Sequence, residues 1–206
     1  MRKRHRIYER HPDSAQEPLY RRGRTALLSV FHVRIRFCHK EEHVVNSPLT
    51  HKQLVVLAAQ ILKRMGYPYI LCEPGFRTEM PDALGMSENM TALIECKTSR
   101  NDFLADRKKS FRIHPETGLG RQRFYLVNKG VCTPGEIPEG WQLIEAVNDH
   151  TVVTEFGDLK KHWKEEYFFE KRNIEEEFRL MCSWAYRIQH NCLKEIPETH
   201  IRCLKR

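Results

Sequence analysis

The stretch TALIECKT, residues 91–98, decides the fold. Three apolar residues, Ala92 to Ile94, lead directly into Glu95 and Lys97. Such a run is typical of a strand near the centre of a sheet. A carboxylate in a buried strand is costly unless it is paired with a cation or bound to a metal. The sequence therefore predicts a central strand that carries a functional carboxylate.

A second predicted strand, Arg77–Leu84, precedes this one across a turn at Gly85–Met90. In a symmetric hairpin, Asp82 lies opposite Glu95 on one face, with Cβ atoms about 4.5–5.5 Å apart. Two carboxylates at that separation can bind one Mg²⁺, with Mn²⁺ as a substitute. Lys97 lies two residues beyond Glu95 and so on the same face. Its ammonium can hold an attacking water or balance charge that grows on phosphorus.

Capping signals and hydrophobic periodicity outline the elements around this hairpin. Thr50 and Gln53 form a capping box and Gly66 stands at the C-cap position, which predicts a helix over Thr50–Met65. The other predicted elements are strands at Tyr69–Cys72, Arg123–Asn128 and Trp141–Val147, a helix at about Asn101–Phe111 capped by Ser99, and a long helix from Phe156 to about His190. The predicted fold class is α/β, with a small mixed central β-sheet flanked by helices and a long C-terminal helix.

The chain divides into three predicted segments. Residues 1–24 are dominated by Arg, His, Pro and Asp, which is typical of a flexible basic arm. Residues 25–150 form the predicted core and residues 151–206 a C-terminal helical extension. Within the core, residues 31–37 (FHVRIRF) alternate between apolar and polar side chains, which predicts a half-buried strand with a basic face. That strand is either a protected sheet edge or a ribbon that contacts phosphates.

The pair Pro81-Asp82, followed by Glu95-Cys96-Lys97, resembles the PD-(D/E)xK signature of restriction-endonuclease-like nucleases. The run ALIECKTSRNDFLADRK, residues 92–108, is similar to MmcB-like DNA-repair proteins and related phage nucleases. The resemblance spans about residues 54–146. It implies a restriction-endonuclease-like core and Mg²⁺-dependent hydrolysis of DNA phosphodiester bonds in repair, recombination or phage DNA processing. It further implies products with 5′-phosphate and 3′-hydroxyl ends.

One departure from this pattern concerns a further acid that many members supply from the first helix. The predicted helix over Thr50–Met65 contains no Asp or Glu, and Glu73 is the nearest substitute as a metal ligand. Glu79 is expected on the opposite face of its strand unless Pro81 introduces a bulge. If nothing replaces the helix acid, metal binding is weakened. The alternative function is therefore a catalytically inactive nucleic-acid-binding module of the same fold.

Five cations follow the lysine of the signature and are candidates for DNA-backbone contacts. The alternative for each is a solvated helix face with local ion pairs. These candidate nucleic-acid-binding residues are Arg100, Arg107, Lys108, Lys109 and Arg112.

Composition favours a polyanionic partner. The 206 residues include 35 Lys and Arg against 27 Asp and Glu, a net charge of +8. The longest apolar run, Leu54–Ala59, is far too short to span a bilayer. The seven cysteines form no regular framework, so we expect reduced thiols, a cytoplasmic location and no membrane association. A homodimer is a further expectation, since cutting both strands with one site per chain favours a pair.

A rival interpretation is a zinc-stabilised interaction protein built on the C-terminal segment. Its ligands would come from Cys182, His190, Cys192, His200 and Cys203. Their spacings match no standard zinc motif, so reduced cysteines on an amphipathic helix are the favoured interpretation.

Overall fold

A computed structural model of the protein describes residues 47–74, 79–161, 164–190 and 201–206. The predicted basic arm at residues 1–24 and the predicted strand at residues 31–37 lie outside this described part. Within it, no helix is long and apolar enough to cross a membrane.

In the described residues, seven strands form one mixed sheet in which they lie side by side in chain order. They are β1 (Tyr69–Cys72), β2 (Ala83–Met86), β3 (Thr91–Lys97), β4 (Gln122–Asn128), β5 (Trp141–Asn148), β6 (Thr151–Thr154) and β7 (Arg202–Lys205). Strands β1 to β3 form an antiparallel meander, and β4 and β5 continue parallel to β3. Strand β6 runs antiparallel to β5, and β7 parallel to β6. The predicted mixed central sheet is confirmed.

Four α-helices of the described part of the chain flank the sheet. They are α1 (His51–Met65), α2 (Arg100–Asp106), α3 (Ser110–Ile113) and α4 (Ile174–Gln189). The predicted capping box of α1 is present, and Gly66 ends that helix in the left-handed region at φ +98°. Ser99 caps α2 by accepting a hydrogen bond from the Asp102 amide. The α/β fold class, including the long C-terminal helix, is thus confirmed.

The two faces of the sheet bury different partners. On β3, alternate side chains point to opposite faces. Ile94 and Cys96 pack with α1 in one apolar cluster. Leu93 packs in a second cluster that includes Phe103 of α2 and Leu180 of α4. By the same alternation Glu95 and Lys97 share the face of Leu93, so these two side chains lie on the α2 side of the sheet.

Several boundaries differ from prediction, and β2 also runs to Met86 instead of ending at Leu84 before a turn at Gly85–Met90. Strand β2 begins at Ala83 rather than Arg77, and the helix after Ser99 is divided into α2 and α3. The C-terminal helix begins at Ile174 rather than Phe156, where Asn173 caps it through the Glu176 amide. The segment 151–206, predicted as a helical extension, contributes β6 and β7 to the sheet as well as α4. Charged and aromatic residues alternating at helical spacing do not reveal such breaks, and Gly157 adopts φ +65° within that stretch.

Candidate active site

Asp82 lies at the start of β2, beside the end of β3. The register pairs Ala83 with Ile94, and its continuation sets Asp82 level with Glu95, in agreement with the predicted hairpin. The Cys96 amide donates a hydrogen bond to Asp82 Oδ2 at 2.7 Å. The Asp82 side chain is 16% exposed, so it reaches the surface at the edge of the site.

Glu95 and Lys97 are both buried on β3. Lys97 Nζ donates a hydrogen bond to Glu95 Oε2 at 3.0 Å, and the two side chains are 5% and 2% exposed. Lys97 Nζ also lies 3.2 Å from Asp106 Oδ1 at the end of α2. The sequence-predicted trio of Asp82, Glu95 and Lys97 is therefore brought to one end of the β2–β3 hairpin.

Arg112 lies inside the site and not on its surface. Sequence reasoning grouped it with cations that contact phosphates, but its side chain is 1% exposed. Its Nε donates a hydrogen bond to Asp106 Oδ2 at 2.8 Å, and its Nη2 lies 3.2 Å from Glu95 Oε1. A further contact joins its Nη1 to Glu79. Arg112 thus contacts three buried carboxylates, which is the physical reason that its charge can be buried.

Glu79 is a member of this cluster that sequence reasoning left out. It is buried, and its Oε2 accepts a hydrogen bond from the Leu119 amide at 2.6 Å. The sequence placed Glu79 on the opposite face unless Pro81 interrupted the strand, and β2 begins only at Ala83. The proline at position 81 was the available signal, because proline favours an interruption of regular pairing.

The ionisation of the cluster follows from these contacts. Burial alone would lower the pKa of Lys97, but the Glu95 and Asp106 carboxylates outweigh it and raise the pKa above the ordinary lysine value. Burial and then the charge of Glu95 raise the pKa of Asp82 to about 6. Lys97 is therefore held as an ammonium, while Asp82 is a carboxylate that gains from a nearby cation.

His51 and Glu73 lie at the exposed rim beside Asp82. His51, the first residue of α1, has its Nε2 3.4 Å from Asp82 Oδ1 and 3.3 Å from Glu73 Oε1. The Glu73 amide donates a hydrogen bond to the Asp82 carbonyl at 3.2 Å. Glu73 is accordingly a neighbour of Asp82, and α1 contributes an imidazole where an acid was sought.

The remaining candidate cations have different surroundings. Arg100 forms a bidentate pair with Glu136, with contacts of 2.6 and 3.1 Å. Lys109 Nζ lies 2.7 Å from Asp106 Oδ1 at the rim of the site. Arg107 and Lys108 are exposed and form no ion pair with any other residue of the described ranges. Among the five candidate cations, those two have no competing ion pair in the described part of the chain.

The donor atoms near Asp82 and Glu95 fit a hard divalent cation. Glu95 Oε1 is buried and receives no hydrogen bond from any described residue. Burial, and then repulsion by Glu95, raises the pKa of Asp82, and a bound divalent cation relieves that repulsion. In the described ranges no three His, Cys, Asp or Glu side chains form a ready-made metal group. The fit therefore rests on the two carboxylates.

The rival zinc set is only partly described. Cys182 is exposed on α4 and Cys203 is half-buried on β7, whereas Cys192 and His200 lie outside the described residues.

Comparison with known proteins assigns no family to this arrangement. No protein-family model, no curated protein and no solved structure matches the chain.

Proposed function

We propose that the protein is a Mg²⁺-dependent endonuclease that hydrolyses DNA phosphodiester bonds. The observation that carries this proposal is the convergence of Asp82, Glu95 and Lys97 at one end of the β2–β3 hairpin. A buried carboxylate and a buried ammonium beside a second, partly exposed acid are costly to maintain for stability alone. The arrangement matches what in-line attack on a phosphodiester requires: cation ligands and a fixed positive charge.

Lys97 acts as a donor and not as a base. Because Glu95 and Asp106 raise its pKa, the side chain keeps its proton at neutral pH. An ammonium can donate hydrogen bonds to an attacking water and to a non-bridging phosphate oxygen, but it accepts no proton. Its role is to orient the water and to balance the charge that develops on the phosphate.

Asp82 and Glu95 hold the divalent cation in this proposal. When bound, Mg²⁺ supplies Lewis-acid activation of water and neutralises charge on the scissile phosphate, and Mn²⁺ can substitute. Asp82 Oδ2 is fixed by the Cys96 amide, which keeps the carboxylate aligned with the end of β3. Glu73 and His51 at the rim are the next groups available to the cation or to its waters.

Exposed cations beside the site support DNA as the polyanionic partner. Arg107 and Lys108 follow α2 directly, next to Lys109 at the rim. Contacts to the phosphate backbone give affinity without reading sequence. The net charge of +8 acts in the same direction. The cytoplasmic location and the homodimer belong to this same proposal.

A specific observation favours one alternative, the binding module without catalysis. Arg112 Nη2 lies 3.2 Å from Glu95 Oε1 and Lys97 pairs with the other oxygen, so both oxygens of Glu95 already face cations. If these contacts persist when DNA is present, a divalent cation has only Asp82 as a strong ligand. The protein then binds DNA without cutting it.

The decisive experiment incubates the full chain with supercoiled plasmid, single-stranded DNA and branched DNA, in Mg²⁺ or Mn²⁺. Asp82→Asn is the inactivating variant, and Asp149→Asn in the exposed turn after β5 is the matched control. We expect cleavage by the wild type and the control, and a loss of at least about 100-fold in Asp82→Asn.

Three results decide between the interpretations. Inactivity of the wild type on every substrate with either metal rejects the nuclease. Cleavage that survives in Asp82→Asn rejects the assigned site. DNA binding without cleavage, together with no Asp82-dependent Mn²⁺ binding by calorimetry, establishes the binding module.

A further inference from the structure

Asp106, the last residue of α2, is a buried carboxylate that the proposed chemistry leaves without a role. Its side chain is 1% exposed, and Lys97 Nζ contacts both this residue and Glu95. We propose that Asp106 is the positioning residue for Lys97: it shares the ammonium with Glu95, so that Glu95 is not the sole counterion of Lys97 and can also bind the metal. This inference rests on the proposed function and deepens it.

Two carboxylates hold the Lys97 ammonium from different elements of the fold. One contact, at 3.0 Å, is to Glu95 on the same strand, and the other, at 3.2 Å, is to Asp106 on α2. A lysine is a point charge on a flexible four-carbon chain, so a single partner leaves it free to rotate about that contact. The second partner fixes its position. Because an ammonium has three donors, at least one remains for a water or a phosphate oxygen.

Asp106 is itself fixed by the sheet. Tyr125 Oη donates a hydrogen bond of 2.7 Å to Asp106 Oδ2. Tyr125 pairs with Glu95 in the β3–β4 register, and its ring stacks on Trp141 with centroids 4.5 Å apart and meets the edge of Phe103 at 5.2 Å. A tyrosine packed this way has no freedom to follow a moving carboxylate. The anchor of Lys97 therefore belongs to the rigid core and not to a loop.

The two carboxylate oxygens of Asp106 contact different groups. Oδ2 accepts from Tyr125 and from Arg112 Nε at 2.8 Å, whereas Oδ1 faces the ammonium groups of Lys97 and Lys109. Without the charge of Asp106, the cations Lys97, Lys109 and Arg112 have one carboxylate fewer to pair with. Glu95 is the carboxylate that contacts both Lys97 and Arg112. Both cations would then compete with Mg²⁺ for Glu95. Loss of Asp106 should thus weaken metal binding although Asp106 touches no metal.

The test compares the full-length wild type with Asp106→Asn, which keeps the shape and removes the charge. Calorimetry with Mn²⁺ alone gives metal affinity, and plasmid cleavage at saturating Mn²⁺ gives kcat and KM. We expect Mn²⁺ affinity to fall about 10-fold and kcat to fall at least about 10-fold with KM for DNA nearly unchanged. Asp106→Glu, which restores the charge, should recover part of the Mn²⁺ affinity. Asp102→Asn on the same helix is the matched control and should behave as wild type.

Wild-type Mn²⁺ affinity and kcat in Asp106→Asn, or a change confined to KM, overturns the proposal. If Asp106→Asn does not fold, Tyr125→Phe removes only one hydrogen bond to Asp106. It should lower kcat a few-fold at constant KM, and an unchanged kcat overturns the proposal equally.

A measurement that needs no cleavage separates this proposal from the proposed function. In ¹⁵N-lysine-labelled protein the Lys97 ammonium, identified by its absence in Lys97→Gln, should exchange slowly with water because it is buried and held on two sides. Asp106→Asn should abolish that signal, and its persistence overturns the positioning role. A wild type that shows the signal but never cleaves DNA rejects only the nuclease.

Discussion

Replacing Asp82 with asparagine is expected to stabilise the metal-free protein. Burial, and then the charge of Glu95, raises the pKa of Asp82 from 3.8 to about 6 in the folded state. The folded protein therefore holds this proton more tightly than the unfolded chain, and stability falls as pH rises from about 4 to 6. Asparagine cannot ionise, and its carbonyl can still accept the hydrogen bond from the Cys96 amide.

The magnitude follows from the separation of those two pKa values. At about 1.4 kcal/mol per pH unit, ionisation of Asp82 lowers the free energy of unfolding by about 3 kcal/mol above pH 7. At pH 4.5 the same calculation gives about 1 kcal/mol. Asp82→Asn should therefore raise the urea midpoint more at pH 7.5 than at pH 4.5. The gain in the free energy of unfolding should be about 2 kcal/mol larger at the higher pH.

Urea unfolding followed by circular dichroism measures this difference, and Asp149→Asn is the control. Mg²⁺ should remove most of this difference. A cation bound only by the folded wild type contributes about 2.7 kcal/mol at 100 times its Kd, and Asp82→Asn should gain almost none of this. An Asp82→Asn protein that is no more stable than wild type at pH 7.5 would refute the assigned acid pair, and so would equal Mg²⁺ stabilisation of both proteins.

Three further predictions concern the charge on Lys97, the DNA surface and a glycine beside the site. Lys97→Gln should lower plasmid cleavage at least about 100-fold while DNA binding in Ca²⁺ persists, measured by fluorescence anisotropy. Combined Arg107→Ala and Lys108→Ala substitutions should weaken binding to all DNA sequences alike and reduce the slope of log affinity against log salt by about 2. Gly120→Ala should lower the free energy of unfolding by about 1–3 kcal/mol, because Gly120 has φ +82° and a new Cβ would lie 2.7 Å from a β3 side chain. Gly135→Ala, whose Cβ meets no atom within 4 Å, should change it by less than about 0.5 kcal/mol in the same urea titration.

Controls and contrary outcomes for these three are specific. Lys160→Ala with Lys161→Ala removes two exposed cations from the turn at Leu159–Lys161 and should leave the salt slope unchanged. If the Lys160→Ala, Lys161→Ala protein loses as much of the salt slope, then the net charge, and not the surface beside α2, attracts DNA. Full cleavage by Lys97→Gln contradicts the proposed mechanism. A Gly120→Ala protein as stable as Gly135→Ala contradicts the close packing described around β3.

Local patterns predicted the parts of the fold that depend on neighbours in sequence. The capping box at Thr50 and the C-cap at Gly66 define α1, because both are satisfied within one turn of the helix. The hairpin register that sets Asp82 beside Glu95 was predictable as well, since a short antiparallel connection leaves few pairings. The start of α4 was not predictable, because the charged and aromatic residues before Ile174 have helical spacing although they form no α-helix.

The amino-acid sequence by itself determined the α/β class, the central strand and the pairing of the two carboxylates beside Lys97. Only the tertiary structure decided that Arg112 is an internal counterion and that Glu79 and Asp106 complete the cluster. Arg112 and Glu79 are 33 residues apart, and Tyr125 and Asp106 are 19 apart. Whether a charge is exposed or buried depends on groups that are distant in sequence and adjacent in space. No local pattern encodes that difference. The spacing of Arg107, Lys108 and Arg112 in the sequence is the same whether all three side chains are exposed to water or one of them is buried.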